Sequence, residues 1–514
     1  MEFAPAPAPS TPMVREILIL GGGSAGLMTA LALLRRAPGA RVRLLRSPAL
    51  GIIGVGEGST ADLPVFFHSF LGIPPAEFFR AVNPSLKLGI RFNWGKGEPY
   101  FYTFAEAMRQ VVGPREVPCG FASGQDLGGN HPATALMEQG KVFLRHPDGP
   151  WPDVRAHFGY HVENRELVAW LESTALAWGC EILDGDLAEA PVAEGRVACL
   201  RLRDGRELRA DLYVDASGFA AELIGRALGE PFVEFSDSLL CDRAVVGGWD
   251  RADEVLQAYT AADVMSCGWC WQIEHPGRIN RGYVYSSRFQ SDAEAEAEFR
   301  AANPKVGPTR IVPFRTGRRA RQWVGNVFAV GNAAGFVEPL EATALMCISH
   351  AARFLALSLC DSDGAPPPSL VGATNRLLAR QWDEIRDFLA AHYRFQSRLD
   401  TPFWRHCREH VALRGAEPIA AYYRENGPTF LAEIDLIPPA KAFNLLEGYW
   451  THFLGMGVPH ARADRANPEE VAAWRAYVAA NRRDAAARGW SLRDTLAILH
   501  DPRWSWTPGF FGPD

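Results

Sequence analysis

A short apolar run, Arg15 to Leu20 (REILIL), is followed without a gap by Gly21-Gly22-Gly23-Ser24-Ala25-Gly26 and then by the Ala/Leu-rich stretch Leu27 to Leu34. The apolar run has the length and composition of a buried strand. The G-x-G-x-x-G spacing makes a tight turn and lets the backbone approach a pyrophosphate closely. The Ala/Leu stretch reads as a helix whose first N–H groups point at that phosphate. The glycine pattern is weak by itself, but a strand before it and a helix after it make it a strong dinucleotide-binding signal. Gly21, Gly23, Ser24, Ala25 and Gly26 are therefore candidate cofactor contacts. Arg41 to Leu45 is the expected second strand. Such a strand normally ends in an acid for the ribose hydroxyls; this chain has Arg46, which can face solvent or meet a phosphate.

Two later stretches repeat the strand-then-small-residue pattern. Leu212 to Gly218 (LYVDASG) is a strand ending in an acid, and Asp215 is the expected contact of a second pass along the cofactor. Val327 to Val330 is another short strand, followed by GNAAGFVEPLEATALM from Gly331 to Met346. Gly331 and Gly335 let the main chain approach a flat or phosphorylated ligand. Glu338 and Glu341 stand in an apolar context, where a carboxylate is costly unless paired or used. Helix-start acids favoured by the dipole are the plainer reading. The glycine-rich loop Gly51 to Pro64 contains Ile52, Ile53 and Val55, which suggests packing, and Gly56 joins the cofactor candidates.

Composition narrows the classes. A chain of 514 residues with 47% hydrophobic and 22% charged residues is that of a globular protein. A net charge of −6 argues against a nucleic-acid surface. No run of eighteen apolar residues suggests a membrane span. Nine scattered cysteines fit reduced cytosolic thiols, hence an expected cytoplasmic location. Cys267 and Cys270 form one CxxC with no second pair, so no metal site is expected. The Ala/Pro-rich residues 1–13 read as a disordered leader. Asp361 to Pro368 is the best linker, and the pattern after Leu370 is nearly all helical. The expected organisation is a 14–359 dinucleotide-binding domain and a 370–514 mostly helical module.

FVEPLEATAL resembles the FVEPLEST signature of flavin-dependent halogenases of the tryptophan halogenase type. The resemblance extends to Gly21–Gly26, the Gly54–Glu57 stretch, Asn83–Phe92, Gly268–Phe289 and Asp400–Trp404, in the family's order. It implies an α/β (α+β) FAD fold of the two-dinucleotide-binding type, with β-sheet insertions facing the substrate. The family's catalytic lysine carries over to Lys87, which by itself would read as a snorkelling surface residue. Glu341 carries over as the residue that orients the electrophile or takes the proton from the arenium intermediate. Halide is expected at the Thr343 and Ala344 N–H groups, although the family's flanking Ser and Gly are Ala342 and Ala344 here. Trp269 and Trp271 match the family's WxWxIP element, which shields the flavin; its proline is replaced by Glu274.

The implied reaction uses FAD in reduced form, oxygen and chloride or bromide to make hypohalous acid, which Lys87 relays to an electron-rich aromatic. No second G-x-G-x-x-G is present for NAD(P)H, so a separate flavin reductase is the expected functional partner. A homodimer stays open. Working back from Phe453–Gly457, the family's stacking tryptophan falls on Asn444 and its substrate-clamping acid on Pro439, while Phe443 is kept. Phe443 and Asn444 are thus the substrate-side candidates, and a neutral indole is expected to suit the site better than free tryptophan. Tyr422, Tyr423 and Glu447 are alternative clamps. Two other classes remain open: an FAD-dependent aromatic monooxygenase and a non-catalytic flavin-binding protein.

Overall fold

The computed structural model describes residues 13–51, 56–104, 127–154, 157–429, 446–463 and 468–506. Its centre is a six-stranded sheet in the order Trp323–Val324, Val327–Ala329, Leu212–Asp215, Glu16–Leu20, Arg41–Arg46 and Glu181–Asp184. All neighbours are parallel except the first pair. The sequence explains this. Ile17, Leu18, Ile19 and Leu44 are fully buried, as the strands of a parallel sheet covered on both faces must be. Helix Ser24–Arg36 packs against helix Ala344–Asp361 and against helix Asn164–Ala177. Helix Ala344–Asp361 is long and apolar enough to cross a membrane by composition, but most of it is buried in this core.

A second, seven-stranded sheet runs Arg310–Pro313, Arg243–Asp250, Arg278–Tyr285, Gly268–Glu274, Tyr259–Met265, Gly89–Asn93 and Tyr100–Thr103. It is antiparallel apart from the Tyr259–Met265 and Gly89–Asn93 pair. Between the sheets lies a small one, Glu57–Gly58, Gly159–Val162 and Ser85–Lys87. These strands and sheets place the candidate catalytic residues.

The structure corrects several expectations. The segment from Tyr160 reads as one amphipathic helix to Trp178, yet Gly159–Val162 is a strand and the helix starts at Asn164. Tyr160 and Val162 are apolar at strand spacing, and a four-residue strand running into a helix is invisible to a helical window. Ile182 to Asp215 alternates like a β-meander, yet its first strand, Glu181–Asp184, pairs with Arg41–Arg46 in the parallel sheet. The helices after Pro368 also pack on the body that precedes them. Leu378, Ala485, Leu492 and Leu496 share one core with Ile17 and Leu31, and Gly489–Ser491 pairs with Lys141–Leu144. The leader, Ile52 to Val55, Pro439, Phe443 and Asn444 lie outside the described residues.

Candidate active site

The glycine turn after strand Glu16–Leu20 is formed by steric necessity. Gly21 has φ 123°, and a Cβ there would lie 2.2 Å from the Ala216 carbonyl oxygen. Gly331 has φ 61°, and its Cβ would lie 2.7 Å from the Ala25 side chain. The third crossover therefore packs on the first helical turn, which makes one cradle from Gly21–Gly26 and Gly331–Gly335. Gly23 caps helix Ser24–Arg36 without a side-chain hydrogen bond, and nothing lies within 4 Å of where its Cβ would be. Uncapped first-turn N–H groups beside open space fit a pyrophosphate. The residues present thus fit FAD: Gly21–Gly26 would hold the pyrophosphate, with Gly331–Gly335 alongside.

The Asp215 carboxylate accepts from the Ser217 N–H and hydroxyl and from the Leu223 and Ile224 N–H groups, all at 3.1 Å or less. It is fully buried, and these bonds cap the segment Glu222–Ala227. A Cβ on Gly56 would meet Asn280 Nδ2 at 2.4 Å and His275 Nε2 at 2.6 Å, so only glycine fits there. Arg46 neither faces solvent alone nor waits for a phosphate. It pairs with Glu172 at 2.5 Å and Asp184 at 2.8 Å.

Lys87 ends the short strand Ser85–Lys87 and is fully buried. Its Nζ makes no hydrogen bond among the described residues and lies 5.3 Å above the Phe104 ring. A Cβ on Gly58 would touch Lys87 Nζ, Thr260 Oγ1 and His161, each at 3.3 Å, so these groups surround one point. His161 Nε2 is 2.8 Å from Thr260 Oγ1. Burial lowers the Lys87 ammonium to about 7, partly opposed by the charge of Glu341. Burial, helped by Lys87, holds His161 well below its ordinary value. An unpartnered buried lysine is the kind of group kept for function.

Glu341 closes the turn Pro339–Glu341, and Ala342 leaves it at φ 56° before the chain enters helix Ala344–Asp361. Glu341 Oε1 lies 2.9 Å from His392 Nε2 and 3.3 Å from His452 Nε2. Burial pushes this carboxyl up, but the hydrogen bonds and charges of the two histidines outweigh it and hold the group at about 2. Burial lowers His452 to about 4. The neighbouring acid has the opposite fate. Glu338 is fully buried beside Trp269, Tyr393 and Cys241, and burial lifts it to about 7. Two carboxylates three positions apart are thereby given different charge states, the pattern that separates an ionised carboxylate from a neutral one in working sites.

Trp269 and Trp271 are buried on strand Gly268–Glu274 with rings 6.1 Å apart. Gly282 makes room for Trp271, since a Cβ there would strike its ring at 1.9 Å. Glu274, which replaces the family's proline, forms a buried ion pair with Arg251. Thr343 caps helix Ala344–Asp361 without a side-chain bond, and its buried Oγ1 has no hydrogen-bond partner among the described residues. Ala344, Gly331, Asn332, Gly335 and Trp382 line a cavity of about 20 Å³, room for a single small occupant. Tyr423 packs on Trp450, and Tyr422 meets Thr429 Oγ1 at 2.9 Å. Sequence reasoning missed Asn332, His161, His392 and His452. The histidines sit in stretches that read as ordinary helix or strand, and only the tertiary structure converges them.

The family model "Tryptophan halogenase" matches residues 16–466. The chain is 34% identical over 457 residues to the tryptophan 6-halogenase ThaL of Streptomyces albogriseolus, covering 82% of this chain and 84% of that one. The crystal structure of MibH, a lathipeptide tryptophan 5-halogenase, superposes with a TM-score of 0.86 at 36% identity and covers 96% of each chain. BrvH, a flavin-dependent halogenase from Brevundimonas sp. BAL3, gives 0.82 at 29%, with 95% and 100% covered. The chain belongs to the tryptophan halogenase family: it is an enzyme of the flavin-dependent halogenase class, built on the FAD-binding α/β fold.

Proposed function

We propose that the protein halogenates an electron-rich aromatic of the indole type, with Lys87 handling the electrophile and Glu341 acting beside it. Bound FAD, in reduced form and with oxygen, supplies the oxidising equivalents that turn chloride or bromide into hypohalous acid. The observation that carries the proposal is the Lys87 Nζ, buried without a hydrogen-bond partner among the described residues and within electrostatic range of Glu341. At about 7, Lys87 populates both of its forms at neutral pH. The ammonium form donates a hydrogen bond to hypohalous acid, and the amine form can take the halogen. Glu341 stays ionised and accepts the proton that the halogenated ring must lose. The Thr343 and Ala344 N–H groups offer the halide a helix N-terminus, and the Trp269/Trp271 wall keeps the organic substrate on the Lys87 side.

The test is turnover with a flavin reductase, NADH, FAD and bromide or chloride over an indole panel, read by mass spectrometry. Halogenated product dependent on halide is expected; hydroxylated product without halide dependence would identify a monooxygenase instead. Because no NAD(P)H-binding glycine motif accompanies the first, the purified chain alone should consume no NADH, and added reductase should start turnover. Steady NADH oxidation by reductase-free protein would contradict a separate reductase.

On substrate, Asn444 and Pro439 stand where the resemblance places an aromatic stacker and an acid. A buried zwitterion without partners costs several kcal/mol. Indole should therefore outcompete free tryptophan at equal concentration. A second reading is peptidyl tryptophan, which lacks the free charged ends. It is favoured by the likeness to MibH and by an open cleft of about 980 Å³ bordered by Arg91, Lys96, Tyr100, Glu138 and Arg482. A competition among indole, tryptophan and a tryptophan-containing peptide ranks all three. Preference for free tryptophan would refute both readings and point to Glu447 as the clamp.

A further inference from the structure

Glu341, His392 and His452 come from three separate helices or turns, and their side chains meet in the interior with relative exposures of 5%, 0% and 1%. The edges of the triangle are 2.9 Å for His392 Nε2 to Glu341 Oε1, 3.2 Å for His392 Nε2 to His452 Nε2, and 3.3 Å for His452 Nε2 to Glu341 Oε1. Each residue can offer one ligand atom. Ligands at ~2.0–2.1 Å from a transition-metal ion are separated by ~3.3 Å in tetrahedral geometry and ~2.9 Å for octahedral neighbours. The observed edges fall in that interval without movement.

The outer hydrogen bonds point the same way. His392 Nδ1 lies 2.8 Å from the Phe388 carbonyl oxygen, so Nδ1 carries a hydrogen and Nε2 is the atom turned inward. Nε2 faces a carboxylate oxygen and another imidazole nitrogen. His452 Nδ1 is held 3.0 Å from the Tyr100 hydroxyl, which fixes its ring as well. Ligating histidines characteristically have their second nitrogen tied to a carbonyl or a polar side chain in this way. Three electron-rich atoms this close need a positive centre among them, either a shared proton or a cation. Among the described residues, Lys87, Tyr100 and Tyr102 feel the charge of Glu341.

The geometry points to a divalent transition-metal site of the two-histidine, one-carboxylate type at Glu341, His392 and His452, suited to zinc or an ion of similar coordination, whose occupancy switches halogenation off. The metal site stands on the triangle alone, and its effect on turnover rests on the proposed role of Glu341. A metal ion would occupy the Glu341 lone pair that the proposed halogenation needs as its proton acceptor. Occupancy therefore opposes turnover, and the site couples activity to free metal.

The direct test needs no turnover. Chelator-treated full-length protein is dialysed against micromolar zinc chloride, and bound zinc is measured by elemental analysis. One equivalent per chain is expected, falling at least tenfold in affinity in His392→Ala and in His452→Gln, with FAD binding serving as the folding control. X-ray absorption of the zinc-loaded wild-type protein should show nitrogen and oxygen ligands, including two imidazoles. No bound zinc in the wild-type protein would mean that a proton alone fills the triangle, and overturns the proposal. Sulfur ligation, or unchanged binding in folded variants, would overturn it too. Should both variants fail to fold, the wild-type ligand set decides. Where halogenation is measurable, zinc should suppress it and chelator restore it; a protein that binds zinc but never halogenates sinks the proposed function and leaves the metal site standing.

Discussion

Lys87→Ala and Lys87→Met should each abolish halogenation, by on the order of 10³-fold or more, as expected when a preorganised group at the reacting centre is lost. Both should still bind FAD, because the Gly21–Gly26 and Gly331–Gly335 cradle does not involve the Ser85–Lys87 strand. Stability should move the other way. The lysine falls from its ordinary 10.5 to about 7, because burial disfavours the ammonium more than Glu341 favours it. Between those two values the unfolded chain holds a proton that the folded chain lacks, so stability rises with pH across that window. Below about 7 the full penalty is carried, roughly 4 kcal/mol at pH 7. Lys87→Met keeps most of the volume and removes the charge, so its melting temperature should exceed that of the wild type at pH 6 and converge with it near pH 10. A catalytic lysine held at the expense of stability predicts lost activity with a gained Tm. Near-normal product from either variant would rule out the relay role, and a lowered Tm in Lys87→Met would show the ammonium to be structural.

How much of this was legible in the sequence depended on whether the signal was local. The strand–glycine–helix unit at Arg15 to Leu34 was readable because each residue type is demanded by its neighbours: Gly21 has the Ala216 carbonyl against it. The resemblance placed Lys87 and Glu341, which physics read from sequence could not. A lysine between apolar neighbours is ordinarily a surface residue, and nothing in FVEPLE ranks Glu341 above Glu338. The ranking comes from partners 51 and 111 residues downstream, His392 and His452, which ionise one acid while burial lifts the other to about 7. Asp215 carries a second, non-local role: the segment that starts seven residues on supplies N–H groups to its carboxylate, which the sequence pattern does not show.

Glu341→Gln should slow halogenation by roughly 10²–10⁴-fold, the range for lost acid–base help. The carboxylate sits at about 2, below its ordinary 4.5, because His392 and His452 outweigh the cost of burial. A base that weak would be useless against an ordinary carbon acid. An arenium ion is far more acidic, so the requirement is only that the group be ionised and in place, and the histidine pair ensures the first. Glutamine keeps an oxygen that can accept from one histidine, so the fold should survive with a loss of about 1–3 kcal/mol, the cost of an impaired buried hydrogen bond. The sign of the pH dependence follows from the depressed value. The ionised Glu341 contributes stability above about 4.5, and that contribution disappears as pH falls towards 2, so the variant should lack this limb of acid denaturation. Glu338→Gln is the control: a carboxyl already near 7 and packed against Trp269 should tolerate the amide with a much smaller loss of rate. Equal losses in the two variants would mean that neither acid is distinguished by its charge, and the assignment of the proton acceptor to Glu341 would fall.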